Sequence, residues 1–436
     1  MSAASTNVAI TALGAATSFM LAHGLGAAGR GTYGAILSYV MFAAAIGDCG
    51  LSTAICFRVA QSQGSPVSEN PVRIARDVIR TGGIILFSLG CLAGAAGLGL
   101  APVIVGGEPG AVTAFVIASA ALPMVCGKAC WIFALQACSQ SLWNIVRVSQ
   151  TVTYTALVVT FSLVHHLSPL TTIFCLLGSL AVQTVLAALA CRTVLPARGH
   201  VRRDIAGALL RYGWWSFTGA LPFLLNAYLD VLLLALLVGP ADLGHYVVAL
   251  SLANLCNPLC VSFGNAALPR LARKARPDGD VQDIRRVALL AVAGSLAVGL
   301  LVVPLVCIGA PVIVHILLGD AFNPTVPLLW LLAPGAVVIG CNQVMGDILR
   351  GLDRARAVAR CEGVGLVLTL AGLGLFVPII GVSGAAAVSS VTYLLNFVLL
   401  SRAVSRAVGG IRGAMGTGIR RLLGYAVVRV RTVLAG

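Results

Sequence analysis

The chain has 436 residues, 59% of them hydrophobic and 10% charged, with a formal net charge of +15 and a mean hydropathy of +0.98. That composition excludes a soluble globular protein, because no domain of this size hides so much apolar side chain from water. It leaves the lipid bilayer as solvent. The apolar runs lack barrel-like alternation, and backbone polar groups in lipid must be satisfied internally, so the runs are membrane-crossing helices of roughly 20 residues each.

In chain order, span 1 covers 5–24 and span 2 covers 33–57, joined by an outer turn that holds Arg30. A basic loop, 58–80, follows. Spans 3 and 4 cover 82–105 and 111–137, with Glu108 between them, and an inner turn over 139–147 leads to span 5, 148–164. His165 and His166 mark an outer turn before span 6, 170–191. A basic linker, 192–211, separates the halves. Spans 7 and 8 cover 213–238 and 243–268, with Trp214 and Trp215 at the depth of interfacial aromatics. Span 9 covers 287–308; a short apolar piece, 310–318, and a turn at 319–324 lie outside. Spans 10, 11 and 12 cover 326–349, 361–380 and 383–404.

Basic residues fall in alternate connections: Arg73, Arg76 and Arg80; Arg198, Arg202 and Arg203; Arg270, Arg273, Lys274 and Arg276; Arg354, Arg356 and Arg360. This is the positive-inside pattern, which makes those loops and both termini cytoplasmic, against an anionic leaflet. The same placement argues against nucleic acid as a partner. The tail reads either as a basic amphipathic helix on the inner surface or as a disordered basic segment.

Two stretches repeat. Gly26, Ala28, Gly31, Tyr33, Leu37 and Ser38 match Gly239, Ala241, Gly244, Tyr246, Leu250 and Ser251, a separation of 213 residues. Ala101-Pro-Val-Ile-Val105 recurs as Ala310-Pro-Val-Ile-Val314, a separation of 209. Matches in one order at nearly one offset indicate an internal duplication. Each copy of the first stretch reads as the tight turn of a helical hairpin. The expected architecture is all-α and integral to the membrane: twelve transmembrane helices in two six-helix lobes related by a parallel internal repeat. The N-lobe is 1–197, the C-lobe 198–406 and the tail 407–436. Two such lobes would enclose a central cleft and rock about it.

Charges within spans cost at least a few kcal/mol and need a reason. Asp48 lies late in span 2, with Arg58 ten residues on. Lys128 lies inside span 4, and Asp230 inside span 7 with Asn226 one turn before it. Gln343, Asp347 and Arg350 share one face of span 10, with Asn342 alongside. The functional reading puts these around a polar cleft, where Lys128, Arg58 and Arg350 attract an anionic group such as diphosphate. The structural reading makes Asp48–Arg58 and Asp347–Arg350 ion pairs near helix ends and lets the long side chains snorkel. Asp48, Asp230 and Asp347 are alternatively carriers of H+ or Na+. No other cofactor is expected. Of the thirteen cysteines, the i,i+4 pairs Cys126/Cys130 and Cys256/Cys260 read as apolar packing residues, not metal ligands. No phosphate-binding loop, zinc helix or nucleophile elbow occurs, so the chain is not read as an enzyme.

Gly26-Ala-Ala-Gly-Arg-Gly-Thr-Tyr33, Gly47-Asp-Cys-Gly-Leu51 and Arg58-Val-Ala60 resemble the N-terminal signature of oligosaccharide flippases, the polysaccharide-biosynthesis branch of the multidrug/oligosaccharidyl-lipid/polysaccharide exporter superfamily. Asp230 followed by Gly239-Pro-Ala-Asp-Leu-Gly-His-Tyr246 is similar to that family's second-half hairpin, and Ile313–Phe322 to its span 9–10 connection. The family's basic residue before the first hairpin is His23 here. The resemblance implies translocation of an undecaprenyl-diphosphate-linked oligosaccharide across the bacterial inner membrane, through a cationic cavity and often with ion coupling. Its partners would be the lipid-linked oligosaccharide, membrane lipid, a polysaccharide polymerase and glycosyltransferases. Two competing readings are a cation-coupled multidrug exporter, which would carry an acid in span 1 where residues 5–24 have none, and a lipid II flippase, which would have fourteen spans.

Overall fold

The structure is a computed structural model that describes residues 3–64, 71–106, 108–164, 167–196, 199–257, 259–261, 263–264, 281–352 and 354–408. All regular secondary structure among the described residues is helical. The chain forms two compact units, one of Met1–Val248 with Ile316–Phe322 and one of Ala249–His315 with Asn323–Gly436.

Unit 1 begins with α1, Ala3–Asp48, broken at Gly26 (φ 65°, ψ −179°), a backbone conformation that favours a residue without Cβ. The break is a full reversal. Arg30 Nη2 donates to Ser18 Oγ at 3.1 Å, although twelve residues of straight helix would span about 18 Å. Residues 17 and 33 also stand at one level, because Thr17 Oγ1 lies 2.8 Å from Thr155 Oγ1 and Tyr33 Oη 2.6 Å from Tyr154 Oη. The expected turn thus narrows to Gly26, and the second arm starts at residue 27 instead of 33. It also stops earlier. Cys49 (φ 44°) and Gly50 (φ 71°) end the helix after Asp48, and α2, Leu51–Gly64, resumes it. The cause is close approach of backbone, since a Cβ on Gly50 would land on the carbonyl oxygen of Gly213. Expected span 2 is therefore two helices.

After α3, Pro71–Val105, expected span 4 comes in three pieces: α4, Pro109–Ala120, α5, Leu122–Gly127, and α6, Ala129–Cys138. Pro123 supplies no N–H and crowds the preceding turn, which accounts for the joint at Ala121. The second joint is Lys128 itself. Helix α7, Gln140–Leu163, starts directly after Ser139, whose Oγ accepts from the Leu142 amide at 3.5 Å; the inner turn expected over 139–147 belongs mostly to this helix. A reciprocal Ser168–Thr171 capping box and Pro169 open α8, Pro169–Val194.

The basic linker after α8 is strapped to α3. Arg76 Nε and Nη2 donate to the carbonyls of Leu195 and Cys191 at 2.5 and 3.0 Å, placing a cation at the negative C-terminus of α8. Arg80 Nη1 donates to the Gly199 carbonyl at 2.7 Å. Asp77 Oδ1 accepts from the His200 amide at 2.6 Å, and Thr81 Oγ1 accepts from the Arg202 amide at 3.1 Å. Asp77 is buried, so Asp77→Ala leaves the His200 amide without its acceptor and should destabilise the fold by about 1–3 kcal/mol. Thermal unfolding of the purified protein in detergent reads this out; an unchanged midpoint would show the strap to be dispensable.

Helix α9, Arg203–Leu237, starts ten residues before expected span 7, so half the linker is helical. Trp214 and Trp215 are exposed on it, as interfacial aromatics are. Helix α10, Pro240–Ala253, follows. Tyr246 Oη donates to Asp230 Oδ2 at 3.0 Å across sixteen residues, again impossible in a straight helix, so the chain reverses at Val238–Gly239. The two expected hairpins both exist. They also touch. A Cβ on Gly31 would land on the Pro240 carbonyl oxygen, and a Cβ on Gly244 would land on the Ala27 carbonyl oxygen. The 213-residue offset carries Ala27 onto Pro240 and Gly31 onto Gly244, so the contact is reciprocal, as across a local two-fold. Gly34 faces Val247, its own counterpart.

Helix α11, Val281–Leu318, belongs to unit 2 up to His315 and runs unbroken through Pro304 and Pro311; the short apolar piece expected at 310–318 is its continuation. Gly319 (φ 80°) then turns the chain. Helix α12, Thr325–Gly351, leads to α13, Ala355–Ala407, interrupted at Ile380–Gly381. Thr369 pairs with Thr392 and Glu362 with Asn396, each at 3.3 Å. Both pairs are centred near residue 380, so α13 is a hairpin with its bend where spans 11 and 12 were expected to meet. Ala288, Val344, Ile348, Leu349, Leu400 and Val404 form part of this unit's core.

Among the described residues, seven helices are long and apolar enough to cross a membrane. Two of them, Ala9–Asp48 and Arg356–Ala407, contain the reversals at Gly26 and Ile380–Gly381. The chain is a multi-pass membrane protein. His165, His166, Arg198, the basic stretch 270–276 and the tail from 409 lie outside the described residues.

Candidate functional site

Unit 1 holds a polar seam between α1 and α7 that a linear reading did not reveal. On α7, Trp143, Arg147, Tyr154 and Thr155 fall near one face at helical spacing. Arg147 Nη2 donates to Asn7 Oδ1 at 3.3 Å and its guanidinium lies 4.5 Å from the Trp143 ring. Further along come the Thr17–Thr155 and Tyr33–Tyr154 bonds and Arg30. Arg30 was expected within the outer turn, but it lies in the second arm of α1. It is 5% exposed, because the arm turns its side chain inward. Its Nη2 donates to Ser18, and its guanidinium lies 5.7 Å from the Tyr33 ring. Its Nε has no partner, and no carboxylate pairs with it among the described residues. The sequence signal was Arg30 three residues before Tyr33, but only the reversal at Gly26 shows which way it faces.

The residues selected from sequence disperse over the two units. In unit 1, His23 is exposed on the first arm of α1. Asp48 accepts from both the amide and the hydroxyl of Ser52, and Arg58 donates to Gln61 at 3.3 Å. The anticipated Asp48–Arg58 pair is thus not formed; Arg58 lines a 290 Å³ cavity with Asp204. Asp230 is 3% exposed and held by Tyr246, with Asn226 one turn before it on α9. Lys128 Nζ donates to Gln183 Oε1 at 2.5 Å and lines a 640 Å³ cavity that contains no other residue of the selected set. In unit 2, Asn342 Nδ2 donates to the Tyr393 carbonyl at 2.9 Å, and Gln343 is half-buried on α12. Asp347 and Arg350 form an ion pair at 2.9 Å, the structural alternative. Glu362, bonded to Asn396 and 8% exposed, is a buried acid that was not selected.

Among the described residues no three metal-ligating side chains gather. Cys126 and Cys130 pack within an apolar cluster with Leu51, Ile55 and Leu86.

A family profile described as "Polysaccharide biosynthesis protein" matches residues 2–274, more than half of the chain. The chain belongs to the polysaccharide biosynthesis protein family. Among curated proteins, no sequence matches it. Solved structures give the fold of this family member. An inward-facing multidrug resistance MATE family transporter of the MOP superfamily superposes with a TM-score of 0.74 at 14% identity, covering 93% of this chain and 96% of that one. The lipid II flippase MurJ in an inward closed conformation gives 0.74 at 13% identity, covering 92% and 87%. An outward-facing MATE transporter gives 0.60 at 15% identity, covering 92% and 94%. The family member therefore shares the MOP-superfamily transporter fold, and its structural neighbours are transporters and flippases.

Proposed function

We propose that the chain is a flippase that carries an undecaprenyl-diphosphate-linked oligosaccharide across the bacterial inner membrane for surface polysaccharide synthesis. Lobes 1–197 and 198–406, six spans each, would alternate access, with both termini cytoplasmic and the tail on the inner surface. The observation that carries the reading is the α1–α7 seam in a chain of this family. A buried guanidinium without a carboxylate is costly unless an anion visits it. Tyrosine faces, hydroxyls and an arginine–tryptophan stack are the groups that bind sugars and phosphates. Arg30 and Arg147 would meet the charged end of the headgroup, Tyr33, Tyr154 and the threonines its sugars, while the isoprenoid chain stays in lipid. From the sequence-selected set we retain Asn226, Asp230, Asn342, Gln343 and Asp347 as pathway residues, with Asp48, Arg58, Arg350 and His23 nearer its ends. The partners would be a polysaccharide polymerase and glycosyltransferases.

Coupling to H+ or Na+ would run through Asp230. Tyr246 is a neutral donor to it, so the carboxylate can take up or release a cation without breaking an ion pair. Asp230→Asn should abolish gradient-driven transport in proteoliposomes while leaving lipid-linked substrate bound. Transport that keeps its dependence on an imposed pH or Na+ gradient in this variant rules Asp230 out as coupler.

The reading is tested in a deletion strain assayed for surface glycan. The wild-type gene should restore export and Arg30→Ala should not. Restored drug tolerance without restored glycan would favour a multidrug exporter, and rescue of peptidoglycan synthesis would favour a lipid II flippase. In the same strain Lys128→Ala should lower export, through the cavity considered next.

A further inference from the structure

The 640 Å³ cavity of unit 1 lies among α3, α5, α6 and α8, and no residue of the α1–α7 seam lines it. Its charges are all of one sign. Among the described residues, Arg76, Arg80, Lys128 and Arg192 line it and no carboxylate does. The bonds these cations make go to neutral oxygens: Arg76 and Arg80 to backbone carbonyls, Lys128 to the Gln183 amide. The neighbouring acid, Asp77, is turned to the His200 amide. Four cations in a membrane protein, with no acid among the described lining residues, call for an anion.

The rest of the lining is apolar, including Ile84, Phe87, Met124 and Trp131. Ile84 and Phe87 are 49% and 53% exposed, and Leu92 further along α3 is 69% exposed. Large apolar side chains exposed in sequence on a membrane-crossing helix face acyl chains. The cavity thus has an apolar flank of exposed side chains on α3 and a cationic end beside the basic stretches of α3 and the α8–α9 linker. Anionic head and oily body are the two parts of a phosphate-bearing lipid, and the volume lies in the range of small-molecule sites, about 300–1,000 Å³.

We propose that this cavity binds the phosphate headgroup of a membrane lipid that arrives from within the bilayer, its chain lying along Ile84, Phe87 and the exposed face of α3. The phosphate could belong to an anionic phospholipid or to a polyprenyl diphosphate. The site does not depend on the flippase reading, since lipid binding can be measured without transport.

The full-length protein in detergent would be examined by native mass spectrometry with phosphatidylglycerol, phosphatidylethanolamine or a polyprenyl diphosphate added. Phosphatidylglycerol should be retained at least tenfold over phosphatidylethanolamine. Lys128→Gln/Arg192→Gln should cut that preference at least fivefold, whereas Arg354→Gln, in a different basic stretch, should not. Displacement of phosphatidylglycerol by equimolar polyprenyl diphosphate would assign the site to the lipid-linked substrate; failure to displace would assign it to phospholipid. Because Arg192 is exposed, Arg192→Gln alone serves if the double variant does not fold. Wild-type preference in a folded variant, an equal loss in Arg354→Gln, or binding of inorganic phosphate but no lipid overturns the proposal.

Discussion

Gly31→Val should be the most damaging single substitution outside the polar residues. The new side chain would occupy the space of the Pro240 carbonyl, and backbone cannot step aside as a flexible side chain can. Overpacking of this kind costs about 3 kcal/mol or more, a large share of a marginal stability. Gly244→Val should cost a similar amount, because its Cβ meets the Ala27 carbonyl in the same way. The two should not add. Once one valine has forced the hairpins apart, the second enters space already opened, so the double variant should fall well short of the sum. Gly207→Ala is the control: it lies inside α9 with nothing within 4 Å of a Cβ, and should be neutral or stabilising by about 0.5–1 kcal/mol. Detergent melting midpoints of the four variants decide the matter. Full additivity of the two valines would mean that they do not share one contact.

Arg30→Met should lower activity without lowering stability. The guanidinium is buried beside Ser18 and Tyr33 without a carboxylate. An apolar side chain of similar volume removes its desolvation cost and gives up one bond to Ser18, so the melting midpoint should hold or rise. Export should nevertheless fall. Charge-assisted hydrogen bonds are worth about 1.5–3 kcal/mol each, so losing one to the headgroup lowers export roughly 10- to 100-fold. A raised melting midpoint with export intact would make Arg30 a fold residue and remove the seam from the pathway. Arg30→Lys separates charge from shape: it keeps the cation but not the planar fork, and partial export is expected.

Most of the fold was readable because lipid imposes one rule on every crossing. Long apolar runs announced α3, α8, α11, α12 and both arms of α13, and the bend at Gly381 fell where it was expected. Helices α7 and α9 are not among the seven recognised by length and composition. Arg147 and the polar residues of the seam lower the apolar average of α7. Both were nevertheless expected from the sequence, as spans 5 and 7, and the structure extends each of them at its N-terminal end. Breaks within runs were hidden. Nothing local distinguishes Cys49–Gly50 from other glycine pairs; its cause is Gly213, far away in sequence. Lys128 was singled out as a charge inside an apolar run, whereas the other cations lining its cavity, Arg76, Arg80 and Arg192, sat in stretches read as cytoplasmic loops. Arg30 was misplaced because a reversal at one residue brings Ser18 beside it, which spacing along a line does not show.

The reciprocal glycine contact also bears on how this sequence can drift. Two segments that each cradle the other's main chain cannot change size independently, since bulk admitted at position 31 has nowhere to go unless position 240 retreats. Among relatives, residues 27, 31, 240 and 244 should therefore vary as a set or not at all. Mutual confinement would then hold these two segments to one another while the sequence around them drifts.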